Sequence, residues 1–345
     1  ISVNAQDNSH IVADTAAASV ALSFGAVGAS VSVGVSIAEN EIDNTVEAGI
    51  RHANDLSTTV GGISVTAEET ATIDSLTAAA SAAATFSIGV AAAAAVTTAS
   101  NTLTSDVNAW IEDSEDVSSA GGLLVSADDT STVSAEIVSV ALSAGLISLA
   151  TGVSLVDNTI GNNVSAGITG SDVMAGGTGD INVRAYSNPT NTSQSTIGAV
   201  SFGLGVAAAG GSSTTLIDGT TEAYVNDATL TARGDRVIIS ATSTGTASPT
   251  IRGLSGGLVA VAAMSSDSSI EGITQSHIGG TTTVTANRID VSATDTNTVK
   301  PDTLVVGVGA ISGVGAKSSA SISTTTEAFV DTNSHLTLGT AILDI

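Results

Sequence analysis

A short alternating block returns along the entire chain, and no other feature restricts the fold as tightly. It reads Ile1-Val3-Ala5, Ile63-Val65-Ala67, Leu123-Val125-Ala127, Ile181-Val183-Ala185, Val237-Ile239-Ala241 and Ile289-Val291-Ala293, at spacings of 62, 60, 58, 56 and 52 residues. A second block follows in each unit: Val46–Ile50 (VEAGI), Val107–Ile111 (VNAWI), Val164–Ile168 (VSAGI), Thr221–Val225 (TEAYV), Thr274–Ile278 (TQSHI) and Thr326–Val330 (TEAFV). Six copies in phase are not chance. Both blocks alternate apolar and polar residues, the period-two pattern of strands with one buried face. The connection from second block to next first block is nearly constant at 13, 12, 13, 12 and 11 residues, often through a Gly pair such as Gly61-Gly62. The span from first block to second shrinks instead: 49, 48, 45, 44, 41 and 41 residues. All the length variation therefore sits in one excursion, carried on a two-strand spine.

Units that bury an apolar face only against their neighbours form a solenoid. The expected fold is an all-β parallel β-solenoid (β-helix) of six repeats of about 52–62 residues, tapering toward the C-terminus. It is expected as one array over 1–345, with repeats 1–62, 63–122, 123–180, 181–236, 237–288 and 289–345. The excursion raises one ambiguity. Residues 78–96 (AAASAAATFSIGVAAAAAV) hold no charge and could be taken for a helix or a membrane span. Equivalent stretches such as 197–215 and 304–316 carry Gly at densities that cost a helix about 1 kcal/mol each. Residues 29–37 (ASVSVGVSI) alternate strictly, and no aromatic belt or basic flank accompanies the run. Strands with one branched face and one Ala/Gly/Ser face are expected, with the small face letting another sheet approach closely. No capping repeat is evident at Ile1 or at Ile345, where Ile342 begins what looks like a further first block. The expectation is a section of a longer array, or a unit that stacks end to end, with uncapped ends.

Composition narrows function. Lys plus Arg is 8 against 33 Asp plus Glu, a formal net charge of −25, which repels phosphate backbones and argues against nucleic acid. Residues 1–172 hold 20 acids and one Arg, whereas 173–345 hold 13 acids and seven bases. Cys is absent, so disulfides and thiolate metal sites are excluded. No leader pattern stands at Ile1, so an export signal would lie outside these residues. With aromatics at 2%, the chain is poorly supplied to shape a bulky ligand pocket.

No catalytic, cofactor-binding or metal-ligating residue is assigned from the sequence. His10 and His52 fit solvated turn positions; His277 occupies the slot filled by Gly49, Trp110, Gly167, Tyr224 and Phe329 in the other repeats, and His335 stands in no catalytic motif. Trp110 is thus expected to be a lone surface aromatic. The acidic groups Glu39–Asp43, Glu68-Glu69, Glu112–Asp116 and Asp128-Asp129 could offer oxygens to structural calcium, but fit a solvated acidic rim better. Gly176–Asp180 (GGTGD) resembles a calcium nonapeptide with its Asp one residue early, and it occurs once. Thr281–Thr285 and Thr324–Thr326 read as strand filler rather than an ice-binding array. Asn163 and Asn191 stand in glycosylation sequons.

The stretch 31–50 (VSVGVSIAENEIDNTVEAGI) followed by 61–67 (GGISVTA) resembles the repeats of giant bacterial cell-surface β-strand-repeat exoproteins, haemagglutinin- or adhesin-like. That resemblance implies export to the cell surface, parallel β-solenoid stalks, and roles in adhesion or filament and sheath formation, with no enzymatic activity. The partners it implies are the chain itself, end to end or laterally, neighbouring repeats, and cell surfaces or extracellular polysaccharide. The competing expectations are a calcium-dependent or carbohydrate-binding β-helix module and, less favoured, a polysaccharide-active enzyme.

Overall fold

In the computed structural model, described for residues 1–86, 88–233 and 236–345 with the side chains of 340–344 excepted, every regular element is a strand and every pairing is parallel. The chain is an all-β parallel solenoid. The first blocks form floor strands, among them Ser2–Asp7, Ile63–Glu69, Leu123–Asp129 and Ile181–Ser187. They stack without slippage, so that Val3, Val65, Val125, Val183, Ile239 and Val291 make one column. A one-residue slip would turn every apolar side chain outward, which is why the alternation holds the register.

From each floor strand the chain turns into an outgoing strand, for example His10–Ser23 or Thr72–Thr85, reverses at a tip, and comes back as a longer returning strand, Val27–Arg51 or Ile88–Glu112. In two coils outgoing and returning halves are one element, Thr132–Thr169 and Thr190–Asn226. The second blocks are the far ends of the returning strands. Short closing strands such as Val117–Ser119 and Asp172–Ala175 complete each coil.

The corner after each returning strand is sterically demanding. His52, Asp113, Gly170, Asp227 and Gly280 stand one above another there, all with φ between 44° and 61°. That left-handed conformation favours Gly, with Asp and His tolerated. Gly179 meets another constraint: a Cβ there would run into the backbone carbonyl of Gly121 on the coil below.

The interior changes character along each coil. Between floor, closing strand and the far half of the returning strand, the core is Ile, Val and Leu, including Ile63, Val65, Val107, Ile111, Leu123 and Ile168. Toward the tip the outgoing and returning strands face each other mainly through Ala, Ser and Gly, with Ala79, Ala83, Ala91, Ala93, Ala95 and Ala141 buried; in the later coils Ile197, Ile251 and Met264 join them, set against Gly211 and Gly253. Hydroxyl contacts cross this seam, Ser32 to Ser19 at 2.9 Å and Ser154 with Ser195 at 2.7 Å. Each coil is therefore a wide base drawn out into a thin fin. Of the stretch 78–96 considered above as a helix or span, residues 78–85 and 88–96 lie in the fin's strands, and no helix long and apolar enough to cross a membrane is present among the described residues.

Most of the taper lies in the fin. From the start of the returning strand to the aromatic slot is 22 residues in the first coils (Val27 to Gly49, Ile88 to Trp110), 20 in the next (Ile147 to Gly167, Leu204 to Tyr224) and 18 in the last (Val259 to His277, Ile311 to Phe329). Steps of two preserve which face every side chain takes.

Candidate functional site

Adjacent strand residues point to opposite faces, and this divides the acidic groups of the sequence. Glu68 and Asp128 face outward, where Asp128 binds Arg184 at 2.9 Å; Glu69 and Asp129 face inward and are buried. A solvated rim therefore describes only part of the acid. Inside, Glu69 Oε1 accepts from Ser105 Oγ at 2.8 Å and Asn44 Nδ2 at 3.0 Å. Asp129 accepts from Ser131 at 2.6 Å, Asn162 at 2.7 Å and Ser187 at 3.3 Å. Burial pushes Asp129 up to about 6 and raises Glu69 too, their hydrogen bonds opposing the shift. A neighbouring polar ladder runs from Asn40 to Asn101 to Asn158 through side-chain amides 2.7 and 2.8 Å apart.

The remaining acidic groups serve the surface. Asp113 and Asp116 hold the left-handed corners. Asp180 of the GGTGD turn pairs with Arg236 at 2.9 Å. Among the described residues no three His, Asp or Glu side chains gather where they could hold a metal ion. His10 lies 3.3 Å from Asp74, and His52 lies at an exposed corner 3.9 Å from Asp113. Asn163 is exposed and contacts Asp106, whereas Asn191 is fully buried and donates to the Asn158 and Leu216 carbonyls. The sequon at Asn191 is thus an interior feature, not a glycosylation site on the folded chain.

Two outward features were hidden from the sequence. The first is the fin surface. Because Ala and Ser fill the seam, the bulky residues of the same strands face solvent: Val31 is 69% exposed, Val33 54%, and Phe24, Phe86, Leu146, Phe202 and Leu258 crown the tip. Phe24 and Phe86 stack with centroids 5.0 Å apart. Residues 15–38, 75–105, 137–156 and 185–217 contain no charge; later coils add Arg252 and the Asp267–Lys317 pair.

The second is an aromatic column on the base. Gly49, Trp110, Gly167, Tyr224, His277 and Phe329 are register partners on the outer face of the returning strands. Trp110 is therefore not the lone surface aromatic expected above. Its indole lies over Gly49 and the Tyr224 ring over Gly167, so closely that a Cβ on either glycine would fall inside the ring. Tyr224, His277 and Phe329 stack at 5.8 and 4.9 Å. Burial, ahead of any charge, raises Tyr224 and lowers His277. Between Trp110 and Tyr224 opens a cleft of about 240 Å³ walled by Asn108, Ser165, Glu112 and Arg51. Arg51 donates to Glu112 at 2.8 Å and sits 5.8 Å from the Trp110 ring centre.

No protein-family model, curated protein or solved structure matches this chain. What it does must therefore be argued from these surfaces.

Proposed function

We propose that the chain is an extracellular structural module, either a stalk segment of a large bacterial surface adhesin or the protomer of a cell-surface filament, and that it acts by stiffness and lateral contact rather than by catalysis. The observation that carries this reading is the coil-on-coil register, with floor, outgoing and returning strands hydrogen-bonded continuously along the axis. Such a stack resists bending because each coil is bonded to its neighbours over its whole perimeter. The similarity of residues 31–67 to surface exoprotein repeats supports the location.

The fin supplies the lateral contact, and its occupant in this reading is a second copy of the chain. One fin face extends about 25 Å along the strands and about 25 Å along the axis, on the order of 600 Å² before counting side-chain relief. A standard interface takes about 800 Å² per partner. Exposed apolar area of this extent marks an interaction surface. Most acids lie on the base, and Asp267 on the fin is paired with Lys317, so fin-to-fin contact keeps most of the net charge of −25 on each copy away from the interface.

Electron microscopy and sedimentation velocity test this together. Rods that associate side by side are expected, with association lost in a Val33→Glu/Val35→Glu variant whose melting temperature is unchanged. Single particles at every concentration and salt would remove the lateral contact, and saturable turnover of any substrate would remove the structural reading.

A further inference from the structure

We propose that the aromatic column is a binding site for a neutral saccharide chain lying along the solenoid axis, with the cleft between Trp110 and Tyr224 holding one sugar ring. This goes beyond the structural reading above and stands on separate residues, so either can fail without the other.

The column is built rather than incidental. A large ring on the outer face of a strand ordinarily stands away from the surface, but here two ring positions alternate with glycine. Trp110 lies down over Gly49 and Tyr224 over Gly167, each filling the space a Cβ would take. Trp110 and Tyr224 thus lie against the surface, with Thr169 and Ser165 beside Tyr224 on the neighbouring coil. Flat rings fixed in place lose little entropy on binding.

The rim supplies the other half of sugar chemistry. A pyranose has an apolar C–H face and an edge of hydroxyls that both donate and accept. Along one side of the column stand Glu47, Asn108 and Ser165, which are register partners; along the other are Arg51, Glu112 and Thr169, likewise partners. Donors and acceptors therefore flank the rings on both sides. The volume of about 240 Å³ is below that of pockets enclosing drug-sized ligands, and suits one ring of a longer molecule. Beyond the cleft Tyr224, His277 and Phe329 stack on one another with centroids 5.8 and 4.9 Å apart and extend the aromatic column along the axis, so a longer chain leaving the cleft lies along it.

Charge selects among saccharides. Glu47, Glu112 and Glu222 border the column on a chain of net charge −25, and the Arg51 guanidinium is engaged by Glu112. Uronic-acid or sulfated chains would be repelled, leaving neutral hexose and N-acetylhexosamine chains.

Trp110 is the sole tryptophan, so its emission reports directly on the cleft. The intact chain is titrated with cellohexaose, chitohexaose and hexagalacturonate while that emission is followed. A saturable change with at least one neutral hexamer is expected, with Kd at least tenfold weaker for hexagalacturonate. Tyr224→Ala and Gly167→Ala, the latter driving its new Cβ into the Tyr224 ring, are each expected to weaken neutral-hexamer binding at least tenfold. Tyr224→Ala removes a partly buried ring from the surface column and keeps the test valid if Gly167→Ala disturbs the coil. No saturable change with either neutral hexamer, an unchanged Kd in Tyr224→Ala, or tighter binding of hexagalacturonate overturns the proposal.

Discussion

Asp129 shows how much one side chain's direction matters in a stacked sheet. Its sequence neighbour Asp128 lies on the surface with Arg184, while Asp129 is enclosed with neutral hydrogen-bonding partners Ser131, Asn162 and Ser187. Three hydrogen bonds do not replace the hydration a carboxylate loses, so its pKa rises from 3.8 to about 6. Between those values the folded chain holds a proton that the unfolded chain has released. Stability is therefore greatest below about pH 4, falls as pH rises through 6, and levels off above it, by about 3 kcal/mol for this residue. Glu69, raised by the same burial and facing Asn44, Ser105, Asp7 and Asp106, changes in the same direction. Melting temperature measured from pH 4 to 8 should fall across that range in the native chain. Asp129→Asn should flatten the fall and raise the value at pH 8; an unchanged profile would mean burial does not set this carboxylate.

At the scale of the element, the fin inverts the usual distribution of size. Two strands connected by a short tip face each other across a narrow seam, so Ala, Ser and Gly dominate it, and the large Ile197, Ile251 and Met264 of the later coils fit where Gly211 and Gly253 stand opposite. The alternation then leaves Val, Leu, Ile and Phe outside. Much of this was legible in the sequence. The alternation of residues 29–37, a branched face against a small one, gave strands and a close sheet-to-sheet approach, and the shrinking span between blocks placed the taper in the excursion. The small face was the one expected to take another sheet; that the branched face would then be left in solvent was not legible, because periodicity sets that two faces differ but not whether both find a partner. The aromatic column escaped for a related reason: Trp110 and Tyr224 share a slot with Gly49 and Gly167, and only the register turns those glycines into space for the rings that lie over them. The inward acids escaped because adjacent carboxylates look like one cluster until alternation separates them. The inversion predicts an unusual mutational pattern. Ala93→Leu, overfilling a seam position, should cost about 1–3 kcal/mol. Val33→Ala, removing an exposed branched side chain, should cost under about 0.5 kcal/mol in the monomer. Thermal unfolding of the two at low concentration decides this, and the reverse order would mean that the branched face is the buried one.

Across the whole molecule, charge is graded along the axis: residues 1–172 carry a net −19 and residues 173–345 a net −6. Coils follow chain order, so the grade runs from one end of the stack to the other. Two copies joined through their fins can lie parallel or antiparallel. Parallel packing sets the two acid-rich ends side by side, whereas antiparallel packing sets each against the acid-poor end of its partner. At physiological salt the screening length is about 8 Å, so the difference acts mainly between facing bases and weakens as salt is added. A two-fold antiparallel pair is also self-complementary, each patch meeting its counterpart. The absence of cysteine makes the orientation measurable. Val33 and Val261 lie in one outward column of the fin, in the first and fifth coils. Mixed oxidation of Val33→Cys with Val261→Cys should give mainly the crossed disulfide at low salt, with the share of same-site disulfides rising as salt increases. Same-site disulfides dominating at low salt would mean parallel packing, and would show that the graded charge does not govern how the copies align.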